Sequence, residues 1–198
     1  MLVVSSRGHG AAPLHKLGGT SERVAVDCHL PVLVVRDALP FAAWARGERP
    51  LRIVLGIDWT EATDGPIRIV RWLRSAGPAD VVVVHVYFPG VSSRWGLEPL
   101  GPPNEPGGSL DQLVAHDMAL RVGDLAGRGD VVLRPVVGLG RIGDHVLEAA
   151  AAEHADLVVV GTHARRGYRR LAAISSVVLH GSRSSVCCVP RAGDAGAA

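Results

Sequence analysis

The residues with chemical potential cluster where apolar runs end. Leu157-Val158-Val159-Val160 runs into Gly161-Thr162-His163, and Leu51 to Ile57 runs into Asp58-Trp59. In an open α/β sheet the carboxyl ends of strands are where ligands sit. His163 therefore lies on the right edge for proton transfer. It has no nucleophile elbow beside it, because no Gly-x-Ser-x-Gly occurs, and a loop histidine of this kind reads as polar surface. Trp59 is placed to roof a pocket or to pack on a neighbouring loop. Arg165, Arg166, Arg169 and Arg170 would attract an anion, although a solvated basic face is the commoner meaning of such a run. Gly138-Leu139-Gly140-Arg141-Ile142-Gly143 has the dinucleotide spacing and falls between a strand and a helix. No ribose-binding acid ends the next strand, so it reads as a glycine-rich turn. Cys187 and Cys188 would point to opposite faces of a strand, which argues against a metal pair. His145, His154 and His180 form no i,i+4 pair.

The elements that carry these residues follow from periodicity. Strands are expected at 1–4, 31–36, 51–57, 80–87, 131–137, 157–160 and 186–189. Helices are expected at 14–26, 61–76, 111–127, 143–154 and 169–180, with Ile67, Val70 and Leu73 at helical spacing. Residues 37–50 read as a connector with two prolines. Residues 89–109 read as a long Gly/Pro-rich loop, a kind that is usually functional. Strands that are continuous apolar runs, alternating with helices, imply a mostly parallel sheet buried on both faces. The chain is expected to be α/β, an open five-stranded mostly parallel sheet flanked by helices with flavodoxin/Rossmann-type layering. A strand–helix–strand remnant precedes it.

That remnant repeats a later segment. Val3-Val4-Ser5-Ser6 matches Val159-Val160-Gly161-Thr162 at an offset of 156, and Val32-Leu33-Val34-Val35 matches Val186-Cys187-Cys188-Val189 at an offset of 154. Residues 1–38 therefore correspond to the last third of the unit at 50–191. Residues 39–49 form a linker and 192–198 a flexible tail. The chain has 198 residues, 47% hydrophobic and 20% charged, which is globular composition. A net charge of +2 gives no nucleic-acid footprint. No apolar run is long enough for a membrane helix, and three cysteines make no disulfide framework. The reading is a cytoplasmic protein without nucleic-acid or membrane partners and without a metal cluster.

Four features of the second copy resemble the universal stress protein family: Ile57-Asp58-Trp59-Thr60-Glu61, His85-Val86, Ala155-Asp156-Leu157 through His163, and Ser175-Ser176-Val177-Val178-Leu179-His180-Gly181-Ser182. The first copy adds Gly18-Gly19-Thr20-Ser21-Glu22-Arg23-Val24 and Pro31 to Arg36. The resemblance implies an adenine nucleotide alpha hydrolase-like fold in a tandem arrangement whose first copy is reduced to its last third. It implies a homodimer through the last strand or the N-terminal remnant. It also implies ATP as cofactor, held by Asp58, Val86, Gly161, Thr162, His163, Ala164, Ser175 and Ser176, with no catalytic residue assigned.

The family's phosphate loop reads Gly-x2-Gly-x9-Gly-Ser/Thr. Here Gly161 is the first glycine, Ala164 replaces the second and Ile174 the third, before Ser175. A β-branched side chain stands where a phosphate would approach. In the first copy Ser5, Gly8 and Gly18 hold those places, but no strand there supplies an Asp58. The implied function is a non-catalytic stress-response module with weak or lost ATP binding. The alternative is an ATP-binding member with regulatory or slow nucleotide hydrolase activity.

Overall fold

A computed structural model describes residues 1–6, 19–88, 110–162 and 173–191. The strands are β1 (Leu2–Ser5), β2 (Val32–Val35), β3 (Leu51–Gly56), β4 (Ala79–Tyr87), β5 (Val131–Val137), β6 (Leu157–Thr162) and β7 (Ser185–Pro190). The helices are α1 (Gly19–Asp27), α2 (Leu39–Ala45), α3 (Asp64–Ala76), α4 (Leu110–Val122), α5 (Ile142–Ala152) and α6 (Ala173–Gly181). A 3₁₀ turn, Glu61–Thr63, leads into α3. One sheet holds all seven strands in the order β1-β2-β7-β6-β3-β4-β5. Every pairing is parallel except β2 with β7.

The central strands β3, β6 and β7 are apolar on both faces because both faces are covered. On one, Leu51, Ile53, Leu55 and Val159 pack under Ile67, Val70 and Leu73 of α3 and Met118 of α4. On the other, Val54, Val158 and Val160 pack under Val146 of α5 and Val178 and Leu179 of α6. Cys187 belongs to the first core and Cys188 to the second, the opposite-face placement expected of strand neighbours. Asp156 locks the amino ends of the central strands. Its carboxylate accepts two bonds from Arg49, both 2.8 Å, and one from Arg52 N at 2.9 Å.

Residues 1–38 join the sheet through the last strand of the larger unit. The register Val3↔Leu33 and Val4↔Val34 has its counterpart in Val159↔Cys187 and Val160↔Cys188. The antiparallel pairs Val32↔Cys188 and Val34↔Val186 flank Leu33↔Cys187 symmetrically, so a local two-fold passes through that pair. A side-chain bond repeats as well: Ser21 Oγ donates to Ser5 O at 2.6 Å, and Ser175 Oγ to Gly161 O at 2.7 Å.

Two sequence expectations shift. The connector at 37–50 contains α2. Asp37 Oδ1 accepts Leu39 N–H at 2.9 Å, Pro40 sits in the first turn, where its missing donor is harmless, and Phe41 and Trp44 pack on the core. The helix expected at 111–127 stops at Val122, where Gly123 adopts φ +60°. The loop at 89–109 lies outside the described residues, as do the first part of the helix expected at 14–26 and residues 169–172 of the one expected at 169–180.

Candidate functional site

β3 and β6 are neighbours at the centre of the sheet, yet the chain leaves them for opposite faces: α3 covers one core and α6 the other. This is the topological switch point, and the crevice lies beyond the carboxyl ends of both strands.

The turn leaving β3 is organised by Asp58. Its Oδ1 accepts Thr60 N–H at 2.9 Å and the Thr60 hydroxyl at 2.7 Å, and lies 2.8 Å from the Thr63 hydroxyl. Thr63 Oγ1 in turn accepts Asp58 N–H at 2.9 Å, and Thr63 is buried. Thr60 caps the 3₁₀ turn by accepting Ala62 N–H. The turn leaving β6 presses against this one, since a Cβ on Gly161 would overlap the carbonyl oxygen of Ala62. Ser175, fully buried, fixes Gly161 from below by donating to its carbonyl.

Between the turns lies a cavity of about 200 Å³. Asp58, His85, Val86 and Gly161 reach it, and Ile142, Val146, Val160 and Ile174 make most of its wall aliphatic. His85 is buried, with Nδ1 3.0 Å from Ile57 O. A carbonyl only accepts, so Nδ1 carries the proton and the lone pair of the neutral ring is on Nε2. Trp59 packs on this imidazole with ring centroids 4.5 Å apart. On the rim Arg121 donates to Thr60 O at 2.7 Å and pairs with Asp64 at 2.6 Å, and Arg191 pairs with Glu61.

Of the residues expected at a nucleotide, Asp58, Val86 and Gly161 meet at one cavity. Thr162 ends β6, half-buried and in register with Pro190. Ser175 and Ser176 lie on α6, and the hydroxyl of Ser175 is committed to Gly161 O. His163, Ala164 and the four arginines at 165, 166, 169 and 170 lie outside the described residues. In the sequence His85 stands only as a family mark, Ile142 only as part of the glycine-rich turn at 138–143, and Thr63 carries no expectation. The threonines at two and five residues after Asp58 were the available signal for a self-capped turn.

The remaining candidates have structural explanations. Gly138 is pressed against the Phe88 ring, Gly140 takes φ +98°, and Gly143 packs on Val177. The fingerprint-like spacing therefore serves a tight turn. Arg141 pairs with Asp144 at 3.1 Å, and His145 lies between Leu139 and Glu148. Burial pushes the thiols of Cys187 and Cys188 up to about 12. Among the described residues no group of three or more His, Cys, Asp or Glu could hold a metal ion, and no helix is long and apolar enough to cross a membrane.

The model of the universal stress protein family matches residues 51–190. The chain belongs to the universal stress protein family. No curated protein matches it. Among solved structures, a universal stress protein from Archaeoglobus fulgidus aligns over 96% of this chain and 62% of its own, at 15% identity and TM-score 0.63. A putative universal stress protein from Pseudomonas aeruginosa aligns over 95% and 62%, at 13% identity and TM-score 0.66. UspA from Lactobacillus plantarum aligns over 71% of this chain and 98% of its own, at 16% identity and TM-score 0.51. This universal stress protein thus spans less than two thirds of the two longer structures. All three share its α/β architecture.

Proposed function

We propose that this universal stress protein is a non-catalytic stress-response module in which ATP binding is weak or lost. Ile174 carries the reading. It lines the cavity beside Gly161, and with Ile142, Val146 and Val160 it presents hydrocarbon where a phosphate needs N–H donors and open backbone. The polar groups nearby serve the fold. Asp58 Oδ1 organises its own turn, His85 Nδ1 holds Ile57 O, and Ser175 holds Gly161 O.

One observation favours the alternative, an ATP-binding member with regulatory or slow nucleotide hydrolase activity. Asp58, Val86 and Gly161 converge on a single cavity at the switch point, as a retained nucleotide site requires. Residues 1–38 are, in the same reading, the last third of a further copy of the unit. The equal registers and the paired Ser21 and Ser175 bonds support this.

Isothermal titration with ATP separates the two readings. The unmodified chain is expected to bind no more tightly than about millimolar, and Ile174→Gly to gain roughly tenfold as the site opens. Micromolar binding by the unmodified chain would establish the alternative. Absence of binding in Ile174→Gly would place the loss beyond that one side chain.

A further inference from the structure

The cavity between the two turns can accept a hydrogen bond from a ligand but has no side chain left to donate one. Of the described residues that line it, Asp58, Thr63 and His85 have polar side chains, and no lysine or arginine is among them. The Thr63 hydroxyl is spent inside the Asp58 turn, 3.0 Å from Asp58 O and 2.8 Å from Asp58 Oδ1. His85 is 7% exposed, and its Nδ1–H is spent on Ile57 O. Nε2 of the neutral ring is left as an acceptor with no hydrogen-bond partner among the described residues. The sealed side-chain atoms without a partner belong, among the described residues, to Arg36, Trp44 and Arg121. Nε2 of His85 is not one of them, so it keeps a face on accessible space, and the cavity is the space that His85 lines. Trp59 packs on the same imidazole and helps to hold it in place. An acceptor this deep gains most from a donor that enters with an apolar body.

We propose that this cavity binds a small neutral aromatic molecule carrying one N–H or O–H donor, with the donor on His85 Nε2 and the ring against Ile142, Val146, Val160 and Ile174. The size fits. An apolar cavity of about 150 Å³ takes benzene, and the volume of about 200 Å³ here has room for two fused rings such as those of indole. A flat ring also gives up little conformational freedom on entering. Chemistry excludes the other classes. An anion would meet the Asp58 carboxylate with no cation among the described lining side chains. A cation would have to shed its water against hydrocarbon. A purine would turn its unsubstituted ring nitrogens, all acceptors, toward side chains that cannot donate.

The inference rests on the proposed weakness or loss of ATP binding in the same cavity, and one set of titrations separates the two. Indole, and benzofuran as its counterpart with an oxygen in place of the N–H, are added to the full chain carrying labelled isoleucine and valine methyls and nitrogen-15 histidine. Indole is expected to shift the methyls of Ile142, Val146, Val160 and Ile174 together, with a Kd of about 0.1 mM. It should also move the Nε2 resonance of His85 while Nδ1 stays protonated. Benzofuran should bind about tenfold more weakly, because it brings a second acceptor to Nε2. His85→Phe removes the lone pair and should lower indole to the affinity of benzofuran. Should that variant not fold, the Nε2 resonance of the unmodified chain decides the same point. Ile142→Phe fills the cavity from its wall and should abolish binding. Equal binding of indole and benzofuran, with Nε2 unmoved, would overturn the proposal, as would unchanged binding by Ile142→Phe. No shift with either compound, while ATP is also silent, would reject the aromatic site and leave the loss of nucleotide standing. Displacement of indole by micromolar ATP would overturn both, since the cavity would then belong to a working nucleotide site.

Discussion

Gly161 shows how a residue chosen by a family motif can be held in place by packing. Its missing side chain lets the end of β6 touch the carbonyl of Ala62, which brings the Asp58 turn and the β6 turn together. Gly161→Ala should therefore destabilise the fold by about 2 kcal/mol through overpacking, with or without nucleotide. Urea denaturation checks this, and an unchanged midpoint would assign Gly161 to ligand contact alone. Ser175→Ala removes a fully buried hydroxyl donating to Gly161 O and should cost about 1 kcal/mol. Asp58 and Gly161 were legible as strand-end residues because apolar runs stop at them. His85 and Ile142 were not, because their roles depend on contacts between segments far apart in the chain: His85 Nδ1 meets Ile57 O, 28 positions away.

At the scale of elements, Arg74 joins three segments that share no local pattern. Buried at the end of α3, it donates to the carbonyls of Leu125 at 2.6 Å and Gly129 at 2.9 Å, and also to that of Ala79. Arg74→Lys keeps the charge but loses the fork, and should cost roughly 2 kcal/mol in the same assay. The sequence shows Arg74 only as the end of an amphipathic helix. The apolar runs placed the strands, Leu157–Val160 of β6 and Val81–Val84 of β4 being unbroken. Periodicity missed α2, whose seven residues give too few turns for a pattern to emerge. The strand β7 carries a pH signature. Burial raises the thiols of Cys187 and Cys188 from 9.0 to about 12, so the unfolded chain loses these protons first. Stability should hold below pH 9.0 and fall between there and about 12. Burial and the neighbouring Asp111 carboxylate likewise raise the Tyr87 phenol to about 12, adding to the slope above pH 10.0. A Cys187→Ala/Cys188→Ala chain should show a shallower alkaline slope in a pH series of melting curves, and an identical slope would contradict this origin.

At the scale of the molecule, the described residues form one seven-stranded sheet in which β7 is interior, flanked by β2 on one side and β6 on the other. A contact between copies through β7 would first have to displace β2. The sequence carried the repeat, and with it the kinship of residues 1–38 to the end of the larger unit. It did not carry the antiparallel sense of the junction, which depends on a two-fold through Leu33 and Cys187 and not on either strand's composition. Because Val32 and Val34 are almost wholly buried, exchange in β2 should be as slow as in β7, and its protection should be lost only with global unfolding. Release of residues 1–38 by protease from a remainder that stays folded would contradict that. The state of the crevice is tested most directly by the δ1 methyl resonance of Ile174 in a methyl-labelled chain titrated with ATP. A resonance that stays in place through millimolar nucleotide is the predicted result. A saturating shift at micromolar ATP, shared with the methyls of Val86, would show that the phosphate cradle is open and occupied.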